Sequence, residues 1–543
     1  MTQPLNIYVA QIRPKMGDIQ GNADLILSHW QKGRDQHADL VVVPEFAICG
    51  YPPEDLLFKR SFVDACMDAV KNLARKTEAG PPLLVGTPWR AEGFLFNAAV
   101  LVKNGQVNTI ACKQELPNYG VFDELRYFQA GMGSSVCKIG TATVGLAVCE
   151  DLWFPPIAKQ LAEKGAEVIL SINASPYDMG KLKKRTEIIR HRAEETQLPV
   201  LYVNLWGGQD ELVFDGHSFG QNPGENTPAF MAPAFAEAGF TAQLQGGRLS
   251  TSDNLPAPRN DLGDDLDTLQ AALCCGVRDY VRGSGFSSVV IGLSGGIDSA
   301  LTAAIAVEAL GAENVTGILM PSPYSSDHSL SDATALARNL GITTHTVPIQ
   351  PGMDAFAQMM KAPFAGTAED VTEENIQARL RGMVTMAYSN KFGPMVLTTG
   401  NKSELSVGYA TLYGDMNGGF NPLKDLYKTT VFALCRHINK NKDTIPENII
   451  SKPPSAELRP DQLDSDTLPD YDTLDNILKQ AIEGHKSVDE ITASGLDKPV
   501  VEKIMRMLRL AEYKRRQAAP GVKVSHVAFG RDFRFPITNR WRV

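Results

Sequence analysis

A break in pattern near residue 220 constrains this chain more than any other feature. Before it, short apolar runs recur at close intervals: LNIYVAQI (5–12), ADLVVVPEF (38–46), PPLLVGTP (81–88), FNAAVLVKNG (96–105), ATVGLAVCE (142–150), AEVILSIN (166–173) and LPVLYVNL (198–205). Residues 221–265 then collect proline, glycine and polar clusters and close on the acidic NDLGDDLD. A second series starts with a helical pattern over 266–282. The 543 residues exceed one ordinary core. The break therefore predicts two large domains, residues 1–245 and 266–543, joined by a linker at 246–265.

Within the first series the runs read as strands. Helical patterns such as SFVDACMDAVKNLARKT and KKRTEIIRHRAEETQ separate some of them, while other neighbours have short connections. That mixture predicts an α/β sandwich rather than a purely parallel doubly wound sheet. The second series opens with the strand SSVVIGL, a glycine turn and the helix SALTAAIAVEALG, followed by strands NVTGILMP and THTVPI.

The formal charge of −9 argues against a general nucleic-acid or membrane surface, though not against a local phosphate pocket. Residues 501–543, with eleven Lys/Arg against three Asp/Glu, offer a place for one. The eight cysteines form no CxxC pair, which disfavours zinc and redox motifs. No run approaches the roughly 18 apolar residues of a membrane span. The start lacks a basic region followed by a long apolar run. The expected compartment is the cytoplasm.

GLSGGIDS (292–299) follows a strand and opens a helix, a context suited to backbone N–H groups around a phosphate. Gly295 and Gly296 permit close approach, and Ser294 and Ser299 offer hydroxyls. Asp298 beside an anion suggests Mg²⁺. The lysine of a Walker A loop is missing. Two glycines alone fit a tight structural turn with a capped helix equally well. SGGIDS as a whole, however, resembles the PP-loop of ATP pyrophosphatases, which cleave ATP between the α- and β-phosphates. Downstream, VLTTGNKSELSVGY (396–409) reads as a strand and a polar turn carrying Thr399 and Glu404. TEENIQARLRG (372–382) places Asn375 and Arg379 on a helix, which taken alone also fits a capped surface helix. YGDMNGGFNPLKDLYKT and the KPPSAELRPDQ segment from 452 read as loops. AEYKRRQAAPG groups Lys514, Arg515 and Arg516; a basic cluster is usually a solvated face, but here it could meet a dinucleotide phosphate.

In this order, over 266–543, the segments resemble the NAD synthetase family. The resemblance implies a Rossmann-like parallel-sheet domain that adenylylates the carboxylate of deamido-NAD, after which ammonia displaces AMP. It implies ATP at Gly292, Leu293, Ser294, Gly295, Gly296, Ile297, Asp298, Ser299 and Thr399. It further implies deamido-NAD at Asn375, Arg379, Glu404 and Lys514, and Mg²⁺ near Asp298 and Glu404.

Such a reaction needs ammonia, which is scarce at neutral pH, and an amide hydrolase in the same chain would supply it. VGLAVCEDLW (144–153) ends an apolar run in Cys149. VVVPEFAICGYPPEDL puts Glu45 after another run, and ACKQELPNYGVFDELRYF puts Lys113 after a third. A thiol needs a base, and an attacked amide needs a cation or donor for its oxyanion. Singly, Glu45 also fits a loop cap, Lys113 a surface charge and Cys149 a core residue. Jointly they resemble the Glu-Lys-Cys triad of the nitrilase superfamily over about 5–245. That implies an αββα sandwich that hydrolyses glutamine, bound by Tyr119, Ser175 and Lys181, with Glu150 and Asp151 holding local backbone. It also implies internal passage of ammonia and a homo-oligomer built on a dimer of the second domain. Two alternatives remain at this point: another PP-loop glutamine amidotransferase, or an ammonia-only synthetase carrying a non-catalytic nitrilase-like scaffold.

Overall fold

The structure, a computed structural model, describes residues 4–258, 265–460 and 462–541. The chain divides into two compact units: one spans residues 1–209 and 213–264, the other 265–543 together with the short piece 210–212.

The first unit is built on two sheets. One has seven strands in the spatial order Arg248–Thr251, Ala238–Gln245, Leu5–Gln11, Leu40–Val42, Leu83–Ala91, Phe94–Lys103, Gln106–Cys112. The other has six: Phe230–Met231, Phe219–Gln221, Val200–Asn204, Val168–Asn173, Ala142–Val148, Ser135–Ile139. Their inner faces share one core. Ile7, Val9, Val42, Leu84 and Leu101 of the first sheet cluster with Val144, Leu146, Val148, Leu170, Ile172 and Val203 of the second. The intervening Ala147 and Ile169 point outward, where they pack with Ile157, Leu161, Ile189 and Ala193 of the helices Pro155–Glu163 and Lys181–Thr196. The helix Arg60–Lys76 packs on strand Leu83–Ala91 of the first sheet, beside the helix Ile19–Asp35. The architecture is therefore αββα. Covering both faces of strand Ala142–Val148 explains why its sequence is a continuous apolar run, since neither face can be polar.

Two features differ from the pattern read in the sequence. Strand Ala238–Gln245 pairs antiparallel with Leu5–Gln11 along the whole of that strand, from Leu5↔Leu244 to Gln11↔Ala238. The segment 246–265 begins with the hairpin return Arg248–Thr251, paired to that strand; its residues 259–264 lie outside the described residues.

The second unit holds a four-stranded parallel sheet in the order Thr343–Thr346, Val315–Leu319, Val289–Gly292, Met395–Leu397. Chain order reverses at Val289–Gly292, which has Val315–Leu319 on one side and Met395–Leu397 on the other. In open α/β sheets ligands bind at such a switch point, beyond the carboxyl ends of the strands. The loop after Gly292 lies there and feeds the helix Ile297–Leu310. Later helices, Tyr471–Ile482, Val488–Ala493 and Lys498–Leu510, form their own apolar cluster around Leu474, Ile477, Ile491 and Ile504. The segment after strand Met395–Leu397 is more regular than a polar turn: Asn401 caps the short helix Lys402–Val407 through the Glu404 N–H. Among the described residues no helix is long and apolar enough to cross a membrane.

Candidate functional site

In the first unit three strand ends bring Glu45, Lys113 and Cys149 together. Glu45 sits in the turn after strand Leu40–Val42, and its seat depends on Gly86 of the neighbouring strand. A Cβ at Gly86 would come 2.5 Å from the Glu45 Cα and 2.6 Å from the Phe46 nitrogen, so no side chain fits. Lys113 follows strand Gln106–Cys112, its N–H bound to the Asn97 carbonyl at 2.8 Å. Cys149 begins a 3₁₀ turn, Cys149–Leu152, directly after strand Ala142–Val148, with φ +48. Left-handed backbone at a non-glycine residue is uncommon and needs surrounding support. Asp151 supplies it: its Oδ2 accepts the Val148 N–H at 3.0 Å, and its Oδ1 accepts the N–H groups of Gln114 (2.8 Å) and Glu115 (3.0 Å). One carboxylate thus ties the cysteine turn to the segment carrying the lysine, and burial pushes it up to about 6.

All three side chains are closed off, with Glu45 and Lys113 each 1% exposed and Cys149 5%. The Lys113 ammonium lies 3.1 Å from Glu45 Oε1 and 2.9 Å from Oε1 of Glu124, a second buried carboxylate. Tyr51 OH donates to Glu124 at 3.0 Å, and the Ala174 N–H donates to Glu45 Oε2 at 2.7 Å. Burial alone would pull Lys113 down, but Glu124 and Glu45 override it and hold the ammonium well above the ordinary lysine value. Burial pushes the Cys149 thiol well up, Glu45 adds to this, and Lys113 opposes it. A thiol held protonated in this way needs a base beside it to become nucleophilic.

Tyr119 donates its OH to Glu150 at 2.7 Å and is half-exposed, while burial and that bond push its phenol up. Lys181 opens the helix Lys181–Thr196, lies 3.8 Å from Asp178 and 4.9 Å over the Trp153 ring, and is pulled down by burial. Both Tyr119 and Lys181 are within electrostatic reach of Cys149. Ser175 is buried next to Ala174, its N–H held by Asn204 Oδ1 at 3.0 Å. Beneath them Arg185 and Asp215 form a fully buried ion pair at 3.1 Å.

The second unit contains an open cavity of about 500 Å³. Gly292, Leu293, Ser294, Gly296, Ile297, Asp298, Ser299, Thr399, Asn375, Glu404 and Lys514 line it. Ser294 Oγ accepts the Gly296 N–H at 3.1 Å and lies 3.2 Å from Ser299 Oγ, which closes the loop on itself. Gly295 shapes that loop without lining the cavity: its φ is +75, and a Cβ there would come 2.2 Å from the Ser329 carbonyl oxygen.

Asp298 and Glu404 are not free. The Lys428 ammonium bridges them, at 2.5 Å from Asp298 Oδ2 and 2.9 Å from Glu404 Oε1, and Asn401 Nδ2 donates to Asp298 Oδ1 at 2.9 Å. Burial, with Asp298 and Asp464 nearby, raises Glu404 to about 7 against the pull of Lys428. Among the described residues no group of three or more His, Cys, Asp or Glu is placed to hold a metal. Two carboxylates beside a phosphate-sized loop do suit Mg²⁺ when nucleotide phosphates complete its oxygen shell.

Two sequence expectations need correction. Arg379 is exposed, with its Nε on the Leu412 carbonyl, and does not line the cavity; Arg381 does, with its Nε on the Met320 carbonyl. The Lys514–Arg516 cluster is not a common phosphate patch. Lys514 reaches the cavity and binds the carbonyls of Gly408 and Ala410, whereas Arg515 is buried on Ser406, Leu508 and Glu512. Glu124, Asn97 and Lys428 escaped sequence reading, because each owes its place to partners distant in the chain.

Residues 7–237 match the carbon-nitrogen hydrolase family and residues 269–518 the NAD synthase family. The chain is 47% identical over 554 residues to a glutamine-dependent NAD(+) synthetase of Rhodobacter capsulatus, covering 100% of both chains. It is 43% identical over 572 residues to that of Thermotoga maritima, covering 99% of each. The solved glutamine-dependent NAD+ synthetase of Acinetobacter baumannii, in complex with ADP, aligns with TM-score 0.79 at 40% identity over 99% of both chains. With both halves matched along their full length, the chain belongs to the glutamine-dependent NAD(+) synthetase family.

Proposed function

We propose that the chain amidates deamido-NAD with nitrogen from glutamine: deamido-NAD, ATP, glutamine and water give NAD, AMP, pyrophosphate and glutamate. The observation that carries this reading is the coexistence of a dry Glu45–Lys113–Cys149 centre with a phosphate loop opening on a large charged cavity. In the first unit Glu45 takes the thiol proton and Cys149 attacks the glutamine side-chain amide. Lys113 stabilises the tetrahedral oxyanion, a contact worth about 3 kcal/mol if it acts like other oxyanion donors. Glu45 returns the proton to the departing nitrogen, and ammonia leaves a thioester. Water, deprotonated by Glu45, then releases glutamate. Tyr119, Ser175 and Lys181 hold the amino-acid end of glutamine, and Glu150 holds the Tyr119 hydroxyl.

In the second unit the loop 292–299 and Thr399 cradle ATP, and Asn375, Glu404 and Lys514 hold the dinucleotide. The nicotinate carboxylate attacks the α-phosphorus, pyrophosphate leaves, and ammonia displaces AMP from the acyl adenylate. Mg²⁺ held by Asp298 and Glu404 would screen the phosphate charge. Lys428 keeps these two carboxylates compensated, and Arg381 adds a further cation to the cavity beside Lys452 and Lys514. The relative solved with ADP supports the use of an adenine nucleotide. Passage of ammonia from one centre to the other without release to bulk water, and a homo-oligomer built on a dimer of the second unit, belong to the same reading.

The test is product analysis with deamido-NAD and ATP, supplying either glutamine or ammonium to the wild type and to Cys149→Ala. The expected result is NAD from both nitrogen sources in the wild type and from ammonium alone in the variant. Equal loss of both modes would defeat the assignment of two separate centres, and failure to accept deamido-NAD would favour another PP-loop amidotransferase.

A further inference from the structure

Asn97 has no role in the scheme above, yet it touches both buried carboxylates beside Lys113, Glu45 and Glu124, and the backbone of Lys113 itself. It lies in strand Phe94–Lys103 and is fully buried. Its Nδ2 donates to Glu45 Oε1 at 2.6 Å and stands 3.4 Å from Glu124 Oε2. Its own carbonyl accepts the Lys113 N–H at 2.8 Å. The amide can face only one way. A flip would aim the Oδ1 lone pairs at two carboxylates, so charge fixes the NH₂ toward them. The consequence is visible on the other side: Asn97 Oδ1 is buried without a hydrogen-bond partner among the described residues. An unsatisfied buried acceptor is costly, and folds tolerate such groups mainly where chemistry requires them.

The bonds to Glu45 then become legible one oxygen at a time. Oε1 accepts from Lys113 and from Asn97, which fills both lone pairs. Among the described residues Oε2 accepts the Ala174 N–H alone. We infer that Asn97 is a positioning residue for amide hydrolysis: it clamps Oε1 of Glu45, so that Oε2 alone takes the Cys149 proton. The inference rests on Glu45 being the base. The transferred proton leaves a thiolate at Cys149 and a neutral Glu45 carboxyl, which later returns it to the leaving nitrogen. The charged and titratable groups around Glu45 are Lys113, Glu124, Cys149, Glu150 and Tyr51.

The test measures glutamine hydrolysis by the full chain for Asn97→Ala, Asn97→Asp and Glu45→Gln, with ammonium-driven NAD synthesis as the folding control. Asn97→Ala is expected to lower kcat about tenfold or more while KM stays within about twofold. Asn97→Asp keeps the volume and puts a third carboxylate in the cluster, so it should lose more at neutral pH. This second variant carries the test if Asn97→Ala does not fold. Wild-type kcat in the Asn97 variants, or a rise in KM alone, would overturn the positioning role if Glu45→Gln has lost hydrolysis. Near-normal hydrolysis by Glu45→Gln would instead overturn the base assignment, and the role of Asn97 with it.

Discussion

The two centres solve opposite problems. Around Cys149 the reacting groups are almost sealed, and neutral donors hold Glu45 and Glu124 against a single ammonium. Around Asp298 the carboxylates are 16–17% exposed, share one lysine, and face about 500 Å³ of open cavity. The contrast follows from the ligands. Breaking a small amide through a thioester needs a largely dry site whose dipoles are already oriented, since bulk water would weaken each contact, while a single water suffices to hydrolyse the thioester. Joining a dinucleotide to ATP needs room for two large anions and cations that can serve either the protein or the phosphates. The first centre is finished before substrate arrives, whereas the second is completed by it.

The largest effect expected from breaking this division comes from Cys149→Ala. Glutamine-driven synthesis should fall by roughly 10⁴-fold or more, as when other covalent nucleophiles are removed. Ammonium-driven synthesis, measured in the same preparation, should persist. Lys428→Ala should do the reverse in kind: both nitrogen sources should fail together, by about 10²-fold if the ammonium acts on developing phosphate charge. Loss of only the glutamine-driven rate in that variant would blur the comparison. Gly86→Ala sharpens it from the packing side. The new methyl group meets the backbone of the Glu45 turn, so we expect a stability loss of about 1–3 kcal/mol, read by denaturant unfolding. Glutamine hydrolysis should drop more than ammonium use, because the methyl displaces the base rather than the cavity.

How far the sequence discloses these centres depends on where each residue's partners lie. Glu45, Lys113 and Cys149 stand near the ends of strand-like runs, which the fold brings together, but singly each fits a duller reading and only their joint resemblance to the nitrilase triad singles them out. The glycine loop is legible because strand, turn and helix are contiguous. Strand Ala238–Gln245 carries a readable signal, with alternating buried Phe240, Ala242 and Leu244 before Gly246–Gly247, but the proline-rich surroundings hide it. Asn97 and Glu124 have no such signal. Asn97 binds a carboxylate 52 residues away, and nothing in FNAAVLVKNG marks its asparagine as different from one in a turn. Lys428 meets Asp298 across 130 residues, and only the folded sheet and its helices bring them into contact.

The helix Val371–Phe392 gives the smallest and most local test. Two arginines lie two residues apart on it, and sequence reasoning favours Arg379. The cavity takes Glu374, Asn375, Ala378, Arg381, Gly382 and Thr385, the three-and-four spacing of one helical face. Arg379 stands one residue past Ala378, about 100° further round the helix, which turns it from the cavity to the Leu412 carbonyl. Arg381 points back into the cavity, and burial there pulls its guanidinium below the ordinary value. Arg381→Ala should therefore raise the KM for ATP or deamido-NAD by about tenfold, the loss of one charge-assisted hydrogen bond. Arg379→Ala should leave both KM values within about twofold, since it removes an exposed bond to a single carbonyl. Steady-state kinetics with ammonium as nitrogen source separates the two without involving Cys149. Equal effects would mean that the helix turns when ligands bind, and that the cavity, unlike the cysteine centre, is rebuilt around them.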